Sequence, residues 1–410
     1  MTESQKTAER PILGVNRNVF FLGVVSFLTD VSSEMVVYIL PLFLTNVLGV
    51  KTSIVGLIEG IAESTATLTR LPSGWLSDKL HTRKLLAIAG YGLSALNKPS
   101  LVLAGSWPAV LALRFIDRVG KGVRTAPRDA LIADSSPAGQ QGKNFGFHRT
   151  MDTAGAMLGV LGSALIIFLS QQGALDLRES TFRTVVLVSS VPALLGVFVL
   201  WKFVRDIKPK ATSGSSAATA SAKQPLPLRF KLLLGIMVLF SLGNSSDAFL
   251  ILRAQNVGLS VLQIMLLLGG FNLVYAIAAT PLGSLSDKLG RTRVIVSGWI
   301  VFAFVYLGFS AASSPWHIVL LYAGYGLYYA GTEGNGKALV ADIAPVASRG
   351  TAYGWYNTAL GITALPASLL AGVLWETYGP KAPFLFGALL ASASAVLLVL
   401  LIRPQAKPSV

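Results

Sequence analysis

Cysteine is absent, and histidine occurs only three times in 410 residues. Disulfides, thiolate metal sites and cysteine nucleophiles are thereby excluded, and no catalytic metal cluster is expected. Charge is scarce too: Asp, Glu, Lys and Arg supply 13% of the chain against 53% hydrophobic residues. An ordinary soluble domain carries about twice that charged share. Acids are rarer than bases, 19 against 34, which leaves a formal net charge of +15. What the chain does have is apolar length, with a mean hydropathy of +0.62 and 20 Phe.

Apolar windows of about 20 residues recur throughout, and that length crosses a bilayer as a helix. Hydrocarbon offers no partner for a free N–H or C=O, so such runs are expected to be helical. Twelve spans are predicted, over residues 18–44, 53–77, 84–105, 108–133, 143–169, 182–203, 230–254, 259–285, 292–312, 316–342, 350–374 and 381–402. The positive charge does not point to nucleic acid, because it falls mostly in gaps between spans. Lys79, Arg83 and Lys84 follow span two; Lys202, Arg205, Lys208, Lys210 and Lys223 follow span six; Lys288, Arg291 and Arg293 follow span eight; Arg349 follows span ten. The gaps of opposite parity, AGSWPA (104–109) and AASSPW (311–316), carry no charge. The positive-inside rule then predicts a multi-pass protein of the cell (inner) membrane with both termini cytoplasmic. The opening segment, MTESQKTAERPILGVNRN, is polar and lacks a short apolar core with a cleavage site, so no signal peptide is expected.

The central stretch KPKATSGSSAATASAKQPLP (208–227) is too polar and too rich in small residues to build a core. It divides the chain into halves that repeat. LPSGWLSDKLHTRK (71–84) lies over TPLGSLSDKLGRTR (280–293), with Gly74 on Gly283 and 283 − 74 = 209. RDALIADSSP (128–137) lies over GKALVADIAP (336–345), Gly142 over Gly350 and Gly146 over Gly354, with 350 − 142 = 208. SSE (32–34) lies over SSD (245–247). The expected organisation is a tail (1–17), a six-helix half (18–203), a linker (204–229), a second six-helix half (230–403) and a tail (404–410).

The loop after span eight, with Gly283, Asp287, Lys288, Gly290 and Arg291, resembles the G-x-x-x-D-[RK]-x-G-[RK]-[RK] signature of the major facilitator superfamily. The first half keeps Gly74, Asp78, Lys79, Arg83 and Lys84, with His81-Thr82 where the family has Gly-Arg. Span four, from Arg114 through Asp117, Arg118, Gly120, Lys121 and Gly122, resembles the family's R-x-x-Q-G-x-G-A-A. Gly155 and Gly159 echo the antiporter signature of span five without its proline. The resemblance covers essentially the whole chain. It implies twelve helices in two pseudo-symmetric halves around a central cavity, transport by alternating access, a monomer, and a cytoplasmic gate. That gate would involve Gly74, Asp78, Arg83, Asp129, Asp134, Gly283, Asp287 and Arg291, with Arg83 in reach of Asp129 or Asp134.

Charge inside the spans is the remaining signal. Residues 114, 117/118, 121, 124/125 and 128 recur every three or four positions and share one helix face. Each Arg or Lys at a span's centre costs about 2.5–3.5 kcal/mol to insert, so the stripe must meet water or acids. It serves either as a structural ion-pair network or as part of transport. Asp30 and Glu34 share one face of span one and are the expected proton carriers, with Asp152 of span five a further candidate. Candidate solute ligands are Arg114, Asp117, Arg118, Lys121, Arg149, Asp247, Glu333 and Asn357. Glu59 and Glu63 read equally as solvated, and His148 reads as a hydrogen-bonded packing residue. GYGLYYAG (324–331) lacks a preceding strand and the third glycine of a dinucleotide loop, so it reads as helix packing. No nucleophile or metal constellation supports an enzyme. The expected function is proton-linked efflux of a small anionic or zwitterionic solute, without a cofactor beyond the proton gradient. Import of organic anions is the alternative, and a non-transporting sensor a third reading.

Overall fold

The computed structural model describes residues 12–80, 82–136, 140–206, 225–345 and 348–402. Within its helices, the side chains at positions 78, 141, 142, 280, 287, 349 and 350 lie outside the described set. Most of the expected N-terminal tail and linker, and all of the C-terminal tail, likewise fall outside the described residues.

Every long element described is helical. The first half holds α1 (Arg17–Val37), the short α2 (Leu40–Leu42) with a following π-helical turn, α3 (Thr52–Leu80), α4 (Arg83–Asn97), α5 (Trp107–Asp134), α6 (Gln141–Ser170) and α7 (Glu179–Phe203). The second holds α8 (Leu228–Gly243), α9 (Ala248–Asn256), α10 (Val261–Leu289), α11 (Arg291–Ala311), α12 (Pro315–Ile343), α13 (Arg349–Tyr378) and α14 (Ala382–Leu401). Among the described residues, eight segments are long and apolar enough to cross a membrane. The other four crossings are α3, α4 with its 3₁₀ extension Lys98–Leu103, α5 and α12. α3 and α5 fall short through the charges they carry, α12 through the tyrosines and glycines that dilute its apolar run, and α4 because Pro99 ends its regular turns early.

Two spans read from the sequence as continuous are interrupted. Span one turns at Tyr38–Ile39, just before Pro41, a residue with no N–H to donate. Span seven breaks between α8 and α9 at Asn244-Ser245-Ser246-Asp247, whose short polar side chains compete with the helix for its own backbone groups. Discontinuous helices at membrane depth are tolerated where they line a cavity or are buried in protein.

The chain forms two compact units: residues 1–40, 65–170 and 179–212, and residues 41–64, 171–178 and 213–410. In the first unit α1 packs on α6 and α7, and α4 lies along α5. These approaches are close because glycine lines them. A Cβ on Gly155 or Gly159 of α6 would stand 2.4 Å from Phe27 O or 2.5 Å from Val31 O. Gly90 of α4 and Gly120 of α5 face one another the same way, each added Cβ 2.7 Å from the other's carbonyl oxygen. Small residues drive helix association in lipid, where apolar bulk gives no advantage over acyl chains.

In the second unit α12 packs on α10 and α11, while α14 packs on α8 and α11. The opening turns of α3 belong here and lie on α13. A Cβ on Gly372 would meet Thr52 O at 2.6 Å, and Ser64 Oγ donates to Gly361 O at 2.7 Å. At the end of this seam Glu376 accepts from Lys51 Nζ at 2.8 Å and Ser53 Oγ at 2.5 Å.

The Gly90–Gly120 crossing is directly testable. Gly120→Ala should destabilise the detergent-solubilised protein by about 1–3 kcal/mol, the usual cost of overpacking. Gly92→Ala, whose Cβ would meet nothing within 4 Å, should leave the thermal midpoint unchanged or raise it slightly. Equal midpoints for the two variants would refute the close packing.

Candidate functional site

The first unit concentrates charge inside its spans. Arg114, Arg118 and Arg124 of α5 are all buried, as is Lys98 just beyond α4. At about 2.5–3.5 kcal/mol each, four such cations facing lipid would cost about 10–14 kcal/mol, the scale of a whole domain's stability. They meet polar groups instead. Arg118 Nε lies 4.0 Å from Asp117 Oδ2. Lys98 Nζ donates to Ser32 Oγ at 2.5 Å, and Ser32 Oγ donates onward to Ser189 O at 2.5 Å, tying the 3₁₀ segment to α1 and α7. Lys98, Arg114, Asp117, Asn97 and Ser33 surround a cavity of about 20 Å³, about the size of one water molecule. Arg124 stacks over the Tyr91 ring, 4.5 Å from its centroid.

Asp30 of α1 is half-buried. The charges acting on it come from Asp152 of α6, Glu34 of its own helix, and Lys121 and Arg124 of α5. On α6, His148 sits between two partners: Nε2 is 2.8 Å from Ser26 Oγ, and Nδ1 is 3.4 Å from Asp152 Oδ2. Arg128 Nη1 donates to the same Ser26 Oγ at 3.4 Å, and its Nη2 pairs with Asp129 at 2.8 Å. Ser26 Oγ thus links Arg128 to the imidazole, whose other nitrogen faces the acid. Three buried polar atoms of this region, Asp152 Oδ1, Arg124 Nη1 and Tyr91 OH, have no hydrogen-bond partner among the described residues. Lys121 and Arg149, two expected solute ligands, are exposed.

At the ends of the helices the repeat reappears as geometry. Arg83 Nη1 bonds to the Asp134 carboxylate and to Ala130 O at 3.0 Å. In the other unit Arg291 Nε lies 3.3 Å from Asp342 Oδ2. The offsets match: 291 − 83 = 208 and 342 − 134 = 208. Asp129 pairs with its neighbour Arg128. Gly74 abuts Ala126, whereas Gly283 faces open space. The side chains of Asp78 and Asp287 lie outside the described residues.

The same offset exposes a substitution of chemistry between the halves. Lys98, Arg114, Asp117 and Lys121, shifted by 208, become Tyr306, Tyr322, Tyr325 and Tyr329. The ionic stripe of α5 is a tyrosine stripe on α12. Tyr325 OH donates to Asp247 Oδ1 at 2.8 Å, so the acid beside the α8/α9 break is held by the aromatic face. Around it Tyr322, Tyr325, Tyr328 and Tyr329 pack with Phe271, Phe302 and Tyr306 at centroid separations of 3.9–6.5 Å, all but the closest pair, Phe302–Tyr306, within the range of about 4.5–7 Å usual for attractive aromatic pairs.

Beside this layer is a cavity of about 250 Å³. Phe240, Trp299, Tyr328, Tyr329 and Tyr356 form its aromatic wall, and Asn244, Glu333, Lys337 and Asn357 its polar groups. Phe240 and Trp299 are stacked at 4.5 Å and 9°. Glu333 and Lys337 are one helical turn apart on α12 and exposed; Glu333 Oε2 accepts from Tyr275 OH at 2.7 Å. Of the expected solute ligands, Glu333 and Asn357 thus share one cavity, while Asp247 sits at the adjacent break. Arg253 has a separate role: it donates to Phe309 O at 2.9 Å and Ala312 O at 2.6 Å, neutralising the carbonyl end of α11.

Sequence reasoning passed over Lys98 and the tyrosine stripe. Lys98 was visible as a lone cation beside a proline in an apolar span. The tyrosines at 322, 325 and 329 recur at helical spacing, but a search for charge does not see them.

Comparison with known proteins supplies the family. The model of the Major Facilitator Superfamily matches residues 22–253 and 232–410. An uncharacterized MFS-type transporter of Methanocaldococcus jannaschii, MJ1317, is 39% identical, over 94% of this chain and 95% of the relative. A homolog of the multi-drug resistance efflux pump PmrA in Lactococcus lactis is 25% identical, over 87% of this chain and 89% of its own. The crystal structure of the nucleoside transporter NupG superposes with a TM-score of 0.75 at 14% identity, over 94% of this chain and 99% of that one; it shares the fold. With matches to both halves and a relative aligned over nearly its full length, this chain belongs to the Major Facilitator Superfamily.

Proposed function

We propose that the chain is a proton-linked secondary transporter that expels a small zwitterionic or anionic solute by alternating access. One observation carries the reading: acids and cations are gathered inside membrane-crossing helices, with Asp30 under the charges of Asp152, Glu34, Lys121 and Arg124. At an effective dielectric of about 20, two unit charges 4 Å apart interact by about 4 kcal/mol. Adding one proton to such a cluster therefore reweights the conformations that hold it, which is what coupling requires.

In this mechanism Asp30 carries the proton, with Glu34 and Asp152 as the acids that share its surroundings. The Arg128–Ser26–His148 chain orders the approach to Asp152. Arg114 and Arg118, buried around Asp117, hold the cluster's positive charge in place. Lys121 and Arg149, both exposed, attract the solute, and proton binding at Asp30 competes with that attraction. The Arg83–Asp134 and Arg291–Asp342 pairs, with Gly74, Asp78, Asp129, Gly283 and Asp287, belong to the cytoplasmic gate, and each pair must break when its helix ends move. The basic loops support cytoplasmic termini. The outward direction is supported by the efflux-pump names of relatives such as the Lactococcus lactis protein.

In proteoliposomes, an imposed pH gradient should accelerate flux of at least one labelled zwitterion or anion about tenfold over the level at equal pH. Flux that ignores the gradient, from protein shown to be active, contradicts proton coupling. Asp30→Asn should abolish the gradient's effect while solute-for-solute exchange continues. An Asp30→Asn protein that is still driven by the gradient would move the proton site elsewhere.

A further inference from the structure

The second unit contains a candidate binding chamber whose walls come from that unit alone. Its volume, about 250 Å³, lies just below the 300–1,000 Å³ typical of ligand pockets, so it suits a solute with a single ring system. The wall is aromatic: the stacked Phe240–Trp299 pair, with Tyr328 on Phe240 at 6.0 Å. Glycine keeps the space clear. A Cβ on Gly336 would stand 2.8 Å from Tyr356 OH, so any larger residue there would intrude.

Three polar groups give the chamber direction. Asn244, at the break between α8 and α9, donates from Nδ2 to Tyr328 OH at 3.2 Å. Its Oδ1 is buried and has no hydrogen-bond partner among the described residues. An acceptor left buried in this way costs about 1–3 kcal/mol, and an N–H of a bound solute would satisfy it. Glu333 and Lys337, exposed and one turn apart on α12, present an anion and a cation side by side. No single-charge ligand uses both.

We infer that this chamber binds a zwitterionic solute with one planar ring system: the ring lies against Phe240, Trp299 and Tyr328, the amine meets Glu333 and Asn244 Oδ1, and the carboxylate meets Lys337. The inference rests on the reading of this chain as a solute transporter and gives that solute a chemical class. A zwitterion engages both charges at once, whereas a solute missing either end engages one of them and binds less tightly.

The test uses full-length protein in detergent and equilibrium dialysis of four labelled probes. Tryptophan has ring, amine and carboxylate; tryptamine lacks the carboxylate, indole-3-propionate lacks the amine, and leucine lacks the ring. Tryptophan should bind tightest. Glu333→Gln should weaken tryptophan and tryptamine about tenfold and spare indole-3-propionate. Lys337→Gln should weaken tryptophan and indole-3-propionate about tenfold and spare tryptamine. Glu333→Gln is isosteric and Lys337→Gln shortens the side chain by one bond, both at exposed positions, and a monodisperse elution profile with an unchanged melt verifies the fold. Leucine binding as tightly as tryptophan, equal effects of both substitutions on all probes, or no binding by monodisperse protein would each overturn the inference. Its failure is separable from failure of proton coupling: a gradient that still drives another solute leaves the transporter reading intact, whereas gradient-independent flux with intact probe selectivity removes the coupling alone.

Discussion

A charge inside a membrane-crossing helix must meet another charge, a polar group or water. The first unit is organised around that requirement. Lys98, Arg114, Arg118 and Arg124 are buried in it, and lipid exposure would cost about as much as a domain's entire stability. Close glycine contacts such as Gly90–Gly120 bring the backbones of α4 and α5 near enough for short side chains like Ser94 to bond across to Asp117 O. The 3₁₀ turn at Lys98 then points its ammonium at Ser32. On our proposal the same arrangement makes the charges responsive, because a cluster balanced at close range shifts its preferred arrangement when one proton is added.

The second unit meets the requirement differently. At the positions that carry Lys98, Arg114, Asp117 and Lys121 in one half, the other carries tyrosine. A tyrosine ring is compatible with a membrane interior, and its hydroxyl still supplies a donor, as Tyr325 does to Asp247 and Tyr275 to Glu333. One duplicated scaffold therefore presents an ionic face in one unit and an aromatic face in the other, while Arg83–Asp134 and Arg291–Asp342 keep their repeat-related places at the helix ends. On our proposals the ionic face carries the proton and, through Lys121 and Arg149, attracts the solute, while the aromatic face holds the solute's ring.

The helices were largely legible in the sequence because apolar length decides them. The span expected over 108–133 is Trp107–Asp134, and that expected over 182–203 is Glu179–Phe203. The interruptions were not, since hydropathy averages over a four-residue break such as Asn244–Asp247 and over the turn before Pro41. Among candidate site residues, the α5 stripe could be read from its period, but which of its members are buried could not: Arg118 is, and Lys121 three residues on is not. Charge alone marks few residues inside the spans of the second half. That half is rich in aromatic walls, whose value appears only when Phe240, Trp299, Tyr328 and Tyr356, from four helices, enclose one space.

The central claim is that solute and proton compete through one conformational equilibrium. Calorimetric titration of the protein with a bound solute in two buffers of different ionisation enthalpy counts the protons released per solute. The account predicts about one proton released by the wild-type protein near neutral pH and none by Asp30→Asn. Solute binding to the wild-type protein with no proton exchanged at any pH between 5 and 8 would contradict it.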